Sequence, residues 1–444
     1  MEILDRKNKV IIMRRVTRML LTLKNIGKIQ EATVKLDGIT VIAGENNTGK
    51  STVGKVLYCV FNSFYKIEEQ IYKEKLEKIE RVLDMLGRRI SDWRVMGADS
   101  EEVAKNIINE SDKYINNPQL LRKELADYMT QFDDDFENNI DTNSFEESLE
   151  RISSIINISK DDIFKTVLTK KMDIEFNGQV NNIYLEQEGH IKLTIKNETV
   201  SILVVDNKVD YISDKFDLNT EVIYIDDPFV LDEQQRYMPI IFRYGNYIDH
   251  RSHLKSKLFK GYSDSNVIGE ILATNKLESI FPKINKICSG EIVKNKRASF
   301  GYKMQGTDKL LDIRNISAGL KTFVILKMLL QNGSLEENGT IVLDEPEIHL
   351  HPEWQLIFAE LIVLIQKEFG MHILLNTHSP YFLNAIEVYA AKYEIADKCN
   401  YYMASLSSSG ETSTIIEVTK DVEKIYQKLA RPLQDLENER YSND

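Results

Sequence analysis

The stretch "ITVIAGENNTGKSTVGKVLYCVF", Ile39 to Phe61, decides the fold. Ile39–Ala43 is a β-branched apolar run and reads as a buried strand. It runs straight into Gly44, and after Ser51 the apolar residues take a helical spacing. Strand, glycine loop and helix, in that order, are the context a phosphate-binding loop requires. Gly44-Glu45-Asn46-Asn47-Thr48-Gly49-Lys50-Ser51 fills the pattern G-x-x-x-x-G-K-[ST] in full. Glycines there let backbone N–H groups curl around phosphate oxygens, and the following helix points its positive end at them. On this reading Gly44 through Thr52 bind a nucleotide, Lys50 contacts the β- and γ-phosphates, and Ser51 holds Mg2+. The alternative, a bare glycine turn, leaves the matched flanks unexplained.

Three further segments carry polar residues in related settings. In "GTIVLDEPEIHLHP", Gly339–Pro352, an apolar strand ends at Asp344-Glu345. A carboxylate at such a strand end can bind the Mg2+ water shell while its neighbour orients an attacking water. The competing account is an acidic pair opening a turn before Pro346. "ILLNTHSP", Ile373–Pro380, is another strand with a polar end, and His378 stands 34 positions after Asp344. That is room for one helix and a returning strand, and a right-handed crossover lays the second strand parallel to the first. His378 then reaches the same sheet edge, within range of a γ-phosphate. "NISAGLK", Asn315–Lys321, opens an amphipathic run at Ser317 and Gly319. Those residues fit an ordinary helix cap or a second phosphate-binding helix end equally well.

The order "GENNTGKST", "NISAGLK", "IVLDEPEIHLHP", "NTHSP" resembles the ABC-type ATPases of the RecF, SMC and OLD (overcoming-lysogenization-defect) group. The "EPEIHLHP" spelling is most similar to OLD-like, stand-alone ATPases of bacterial anti-phage systems such as the Septu type. In that group the four segments are the Walker A loop, the signature, the Walker B strand and the switch histidine. The resemblance implies that Asp344 assists Mg2+, Glu345 is the catalytic base, and His378 and Lys50 complete the catalytic set. It further implies that Ser317, Ala318 and Gly319 touch ATP held by a second copy. Two chains would then close head to tail over two ATP molecules, and an isolated chain would turn over slowly. Ala318 and Leu320-Lys321 depart from the transporter spelling, which fits the SMC-like branch. No glutamine loop is identifiable among Gln70, Gln234 and Gln235.

The rest of the chain completes an α/β P-loop NTPase (ABC-type) core carrying an antiparallel β subdomain and a helical insertion. Residues 1–18 are polar and form an N-terminal extension; 19–63 and 289–390 are the ATPase core. Residues 64–170 are charged and glycine-poor, with Ile67, Ile71, Leu76, Ile79, Leu83, Leu86 and Ile90 on one helical stripe. This insertion is too short for a long coiled-coil arm. Asp133–Asn143 is a solvated connection. The period switches to two over 171–232, an antiparallel β lobe; 233–288 is a helical connector, and 391–444 a C-terminal segment whose helix breaks near Pro432.

Composition sets outer limits. A net charge of −12 argues against wholesale wrapping of nucleic acid. Cys59, Cys288 and Cys399 form no C-x-x-C pair and fit reduced thiols in a cytoplasmic protein. The apolar stretches stop short of the roughly 18 residues of a membrane span, and "MLLTL" at Met19–Leu23 is too short for a signal peptide.

Secondary constellations have simpler explanations. His349 and His351 near Glu347 suggest zinc, but no further ligand pair follows. Asp226-Asp227 can be read as a nuclease metal pair, and Pro228 makes a turn the simpler account. Lys283, Lys286, Lys294, Lys296, Arg297, Lys303 and the run His250–Lys260 are solvated faces or a nucleic-acid groove. The 66 residues after His378 are too few for a fused Toprim nuclease, so an effector (nuclease or toxin) is expected as a separate partner. The 267-position gap from Lys50 to Ser317 is too long for a compact transporter subunit. Three functions follow: an ATPase gating a defence effector, a RecF-like repair ATPase that clamps DNA, and a non-hydrolysing nucleotide-dependent scaffold.

Overall fold

The computed structural model describes residues 19–87, 99–130, 142–213, 218–233, 248–259, 276–294 and 300–441. The expected extension at 1–18, most of the Asp133–Asn143 connection, and Ile90, Gln234, Gln235, Lys260, Lys296 and Arg297 lie outside these residues. The chain divides into two compact units.

The first unit is built on one sheet. Its strands are β1 (Met19–Ile26), β2 (Ile29–Lys35), β3 (Ile39–Gly44), β4 (Gly189–Ile195), β5 (Glu198–Val205), β6 (Lys208–Ile212), β7 (Val222–Ile225), β11 (Thr340–Asp344), β12 (His372–Thr377), β13 (Cys399–Leu406) and β14 (Ser413–Glu417). They lie in the order β6-β5-β4-β1-β2-β14-β13-β3-β12-β11-β7. From β13 to β7 every neighbouring pair is parallel. Every residue of β3 and β12 is buried, which is why both read as unbroken apolar runs rather than alternating ones. A separate small sheet holds β8 (Glu291–Lys294), β9 (Phe300–Lys303) and β10 (Leu310–Asp312).

Helices cover both faces of the parallel strands. Ile39, Val41, Ile341, Leu343, Ile373 and Leu375 share a core with α10 (Ala318–Gln331), α11 (Pro352–Phe369) and α12 (Pro380–Lys392). Phe323 packs edge-to-face on Trp354 and Phe358 at centroid distances of 5.7 and 5.4 Å, and each such buried ring contributes about 1.5–3 kcal/mol. Pro352 opens α11 and Gly370, at φ 66°, closes it, the expected asymmetry of helix ends. On the other face α1 (Lys50–Phe64) runs close over β11 and β7. A Cβ on Gly54 would stand 2.7 Å from Val342 Cγ1 and 3.3 Å from Tyr224 Cζ. Only glycine permits that approach. Strand, loop and helix thus form the α/β P-loop NTPase fold that the sequence predicts.

The second unit comprises Ser63–Leu168 with Leu218, which bridges to Tyr65. It contains α2 (Ile67–Gly87), α3 (Asp99–Asn109), α4 (Ser111–Asn116), α5 (Pro118–Thr130) and α6 (Thr142–Asn157). Ile79, Leu83, Leu86, Ile107, Leu125, Phe145 and Ile152 form its core, and the stripe read from the sequence supplies the α2 side. α7 (Lys160–Phe176) continues into the first unit.

Several boundaries differ from expectation. β4, β5 and β6, expected as an antiparallel β lobe of the ATPase domain, are antiparallel and extend the main sheet, β4 pairing with β1. β7, grouped with them by position, joins the parallel core beside β11, and its four buried residues show no alternation. Residues 171–176 are still helical. β13 lies directly beside β3, so the core reaches past residue 390. The terminal helix α13 (Glu423–Tyr441) runs through Pro432 without a break. Pro432 is exposed, and water can reach the carbonyl that its missing N–H leaves free. Of the 233–288 connector, α8 (His250–Leu258) and α9 (Phe281–Ile287) are described, both helical.

Candidate functional site

β3, β11 and β12 are adjacent and parallel, so their carboxyl ends open on one rim. Gly44 ends β3 and α1 begins at Lys50. Asn47 and Gly49 take left-handed backbone angles, φ 63° and 77°, and turn the loop between them. Thr48 Oγ1 donates to Glu45 O at 2.8 Å, pinning the loop's inner side. The first N–H groups of α1 have no carbonyl within the helix to receive them; that of Thr52 turns back on Gly49 O at 3.1 Å, and a helix start of this kind favours an anion.

Lys50 is buried, 4% exposed, and its Nζ donates to Gly44 O (3.0 Å) and Glu45 O (2.9 Å). Burial pulls its pKa down, against the pull of the Glu345 and Asp344 carboxylates. Glu345 Oε1 lies 3.6 Å from Lys50 Nζ and 3.4 Å from His378 Nδ1. One carboxylate oxygen therefore joins three segments that are remote in sequence. Glu345 itself takes φ 49°, an uncommon angle for a residue with a side chain. Its N–H donates to Asn376 O at 2.9 Å, which holds the turn at the end of β11.

Asp344 is fixed from both neighbouring strands. Asn376 Nδ2 donates to Oδ1 and the Tyr224 hydroxyl to Oδ2, each at 2.8 Å. The Tyr224 hydroxyl also lies 3.5 Å from the backbone carbonyl oxygen of Ser51, so the start of α1 and Asp344 meet at one hydroxyl. A hydroxyl and a carboxylate are hard oxygen donors of the kind Mg2+ takes, and the buried lysine beside them suits a polyphosphate. The residues present therefore fit Mg2+ and a nucleoside triphosphate. Glu347 is buried, accepts from Thr377 Oγ1, and burial raises its pKa.

Ser317 caps α10 and accepts from Leu320 N at 3.3 Å. It is exposed, Ala318 half-buried and Gly319 buried, a Cβ on the last standing 2.8 Å from His349 O. Among the described residues, no hydrogen bond or ion pair links Ser317–Gly319 to Gly44–Thr52 within one chain. Lys321, buried, anchors this helix start on Asp232.

The remaining candidates have structural partners. Asp226 receives three bonds from Arg251 and approaches His250, while Asp227 Oδ1 accepts from Phe229 N and opens a turn. His349 packs edge-on to Phe229, and His351 stands exposed at the start of α11 with no side-chain capping bond. Within the basic run His250–Lys260, His253 and Lys257 bond Glu221, and Lys255 stands 3.6 Å from Glu233. Lys283 pairs with Glu360 and Lys303 with Asp308. Gln70 bonds its own helix start at Tyr65 O. Cys59, Cys288 and Cys399 are buried free thiols, and no helix among the described residues is long and apolar enough to cross a membrane.

Sequence reading missed Gly54, Tyr224 and Asn376. Asn376 carried a signal, a lone amide in an apolar strand two places before His378, as did Tyr224, the one hydroxyl in "VIYI".

Comparison with known proteins gives the family. A segment of 108 residues is 29% identical to the retron Vc95 probable ATPase of Vibrio cholerae serotype O1 biovar El Tor, covering 22% of this chain and 20% of that protein. The match thus spans a fifth of the relative's length. Among solved structures, the SMC head domain from Thermotoga maritima aligns over 91% of this chain and 99% of its own, at 10% identity and a TM-score of 0.37. The Smc head domain with an extended coiled coil, bound to the C-terminal domain of ScpA derived from Pyrococcus furiosus, aligns over 95% and 99%, at 12% identity and a TM-score of 0.38. The model of the AAA ATPase domain family matches residues 19–383, and the chain belongs to that family.

Proposed function

We propose that this AAA ATPase is an ABC-type, OLD-like enzyme that binds and hydrolyses MgATP on the rim formed by β3, β11 and β12. The observation that carries this reading is Glu345 Oε1 set between Lys50 Nζ and His378 Nδ1. The loop amides and Lys50 bind the β- and γ-phosphates, exchanging the carbonyls of Gly44 and Glu45 for phosphate oxygens. Ser51 and Asp344 hold Mg2+, which when bound neutralises phosphate charge. Glu345 takes the proton of the attacking water as the bond between the γ-phosphorus and the bridging oxygen of ADP breaks. His378 hydrogen-bonds the γ-phosphate. Ser317, exposed, with the half-buried Ala318 and the buried Gly319 behind it, has no hydrogen bond or ion pair to its own chain's loop among the described residues, and this helix start contacts ATP on a second copy. The working form is a homodimer or larger oligomer.

In this reading the closed dimer gates a separate effector, a nuclease or toxin, in anti-phage defence in the cytoplasm. The segment shared with a retron ATPase supports that role. The internal pairing of the basic run at His250–Lys257 favours it over a DNA clamp. Glu345→Gln tests the reading: with ATP, the variant should elute as a stable dimer on size-exclusion chromatography. An ATP-independent monomer under all conditions would overturn it.

A further inference from the structure

The Asp344 carboxylate is gripped from two sides, and one of the grips is unusual chemistry for a core strand. β7 reads Val222-Ile223-Tyr224-Ile225 and is buried throughout. Tyr224 is 1% exposed, so its hydroxyl has no water to turn to. Burying a phenol hydroxyl is unfavourable unless it finds a partner. Its partner is Asp344 Oδ2, at 2.8 Å.

The ring is itself immobilised. It stacks on the His250 imidazole, with centroids 4.4 Å apart and planes 25° from parallel. His250 is held by Glu175 at Nδ1 (2.7 Å), with Asp226 3.1 Å from Nε2, and its own N–H donates to Glu175 Oε1 at 2.7 Å. Arg251 closes the cluster on Asp226. Above the ring, Gly54 leaves the room it occupies, its absent Cβ falling 3.4 Å from the hydroxyl. Tyr224 cannot swing aside without losing its stack on an imidazole that is itself held at both nitrogens.

We propose that Tyr224 is a positioning residue: with Asn376 it locks the rotation of the Asp344 carboxylate beside Ser51 and so sets the affinity for Mg2+. This rests on the proposed function of the rim. Ligating carboxylates are held by an outer layer of hydrogen bonds, and losing one weakens metal affinity or activity about 10- to 100-fold.

Tyr224→Phe keeps the stacked ring and removes the donor. The experiment follows binding of a fluorescent N-methylanthraniloyl ATP to the full chain during a Mg2+ titration, and again in EDTA. The half-saturating Mg2+ concentration should rise about ten-fold or more, with affinity in EDTA and melting temperature unchanged. A wild-type Mg2+ midpoint in Tyr224→Phe overturns the proposal. So does an equal loss of affinity in EDTA, which marks general damage to the site. Asp344→Asn separates the two levels of the argument. If it abolishes the Mg2+ effect while Tyr224→Phe does not shift it, only the positioning role falls. If Asp344→Asn keeps the wild-type Mg2+ response, the metal reading of the rim falls and the positioning role falls with it.

Discussion

Replacing Gly54 by alanine sets two physical effects against each other. Gly54 lies in the first turns of α1, where alanine is favoured over glycine by about 1 kcal/mol. The added methyl, however, would fall 2.7 Å from Val342 Cγ1 and 3.3 Å from Tyr224 Cζ. Val342 is fully buried on a strand paired on both sides, with no flexible end to move aside. Overpacking of this kind costs about 1–3 kcal/mol, so Gly54→Ala should come out up to about 2 kcal/mol less stable than wild type. In a Val342→Ala background the nearest obstruction is gone and only the 3.3 Å approach to Tyr224 Cζ remains, so the same change should stabilise by up to about 1 kcal/mol. The sign reversal is the signature: a double-mutant cycle in urea should give a coupling of about 1–3 kcal/mol. If Gly54→Ala stabilises the native background and the cycle shows no coupling, the close approach of α1 to β11 is wrong. The seating of Tyr224 on Asp344 would then be wrong as well.

If the signature of one copy completes the site of the other, Lys50→Ala and Ser317→Arg should each be inactive alone. Mixing them should then restore about a quarter of wild-type turnover, since half the dimers are mixed and each has one intact site; no recovery would contradict a site completed by a second copy. Glu360 sets an acid limit on stability. Burial alone would raise its pKa, but hydrogen bonds from Tyr393, Lys283 and Lys392 bring it down to about 2. A depressed carboxylate contributes stability that is present above its unfolded pKa and lost as pH falls through the folded one. Denaturation of wild type against Glu360→Gln should therefore show a gap of about 2–3 kcal/mol near neutrality that closes between about pH 4.5 and 2. A pH-independent gap would count against the cluster.

The chemistry of the rim was legible because phosphate binding constrains local sequence. A glycine loop between strand and helix, and polar residues at the ends of two further apolar strands, suffice to bring Lys50, Asp344 and His378 to one edge once the strands are parallel. The sheet's full width was not legible. β13 follows the last chemical motif, and pairing it with β3 depends on contacts across more than 350 positions, for which local pattern holds no information. β7 is four residues long, too short for period alone to separate it from its antiparallel neighbours. Gly54, Tyr224 and Asn376 escaped for a related reason. Each acts through a neighbour on another element, and no spacing within its own segment marks that neighbour.

The most direct measurement of the central claim is single-turnover phosphate release by Glu345→Gln. The substitution keeps the size and the approach to Lys50 and His378 but removes the proton acceptor. General-base catalysis contributes about 100- to 10,000-fold. The account predicts phosphate release slowed by at least about 100-fold, with ATP retained intact on the protein. Phosphate released at the wild-type rate would contradict it.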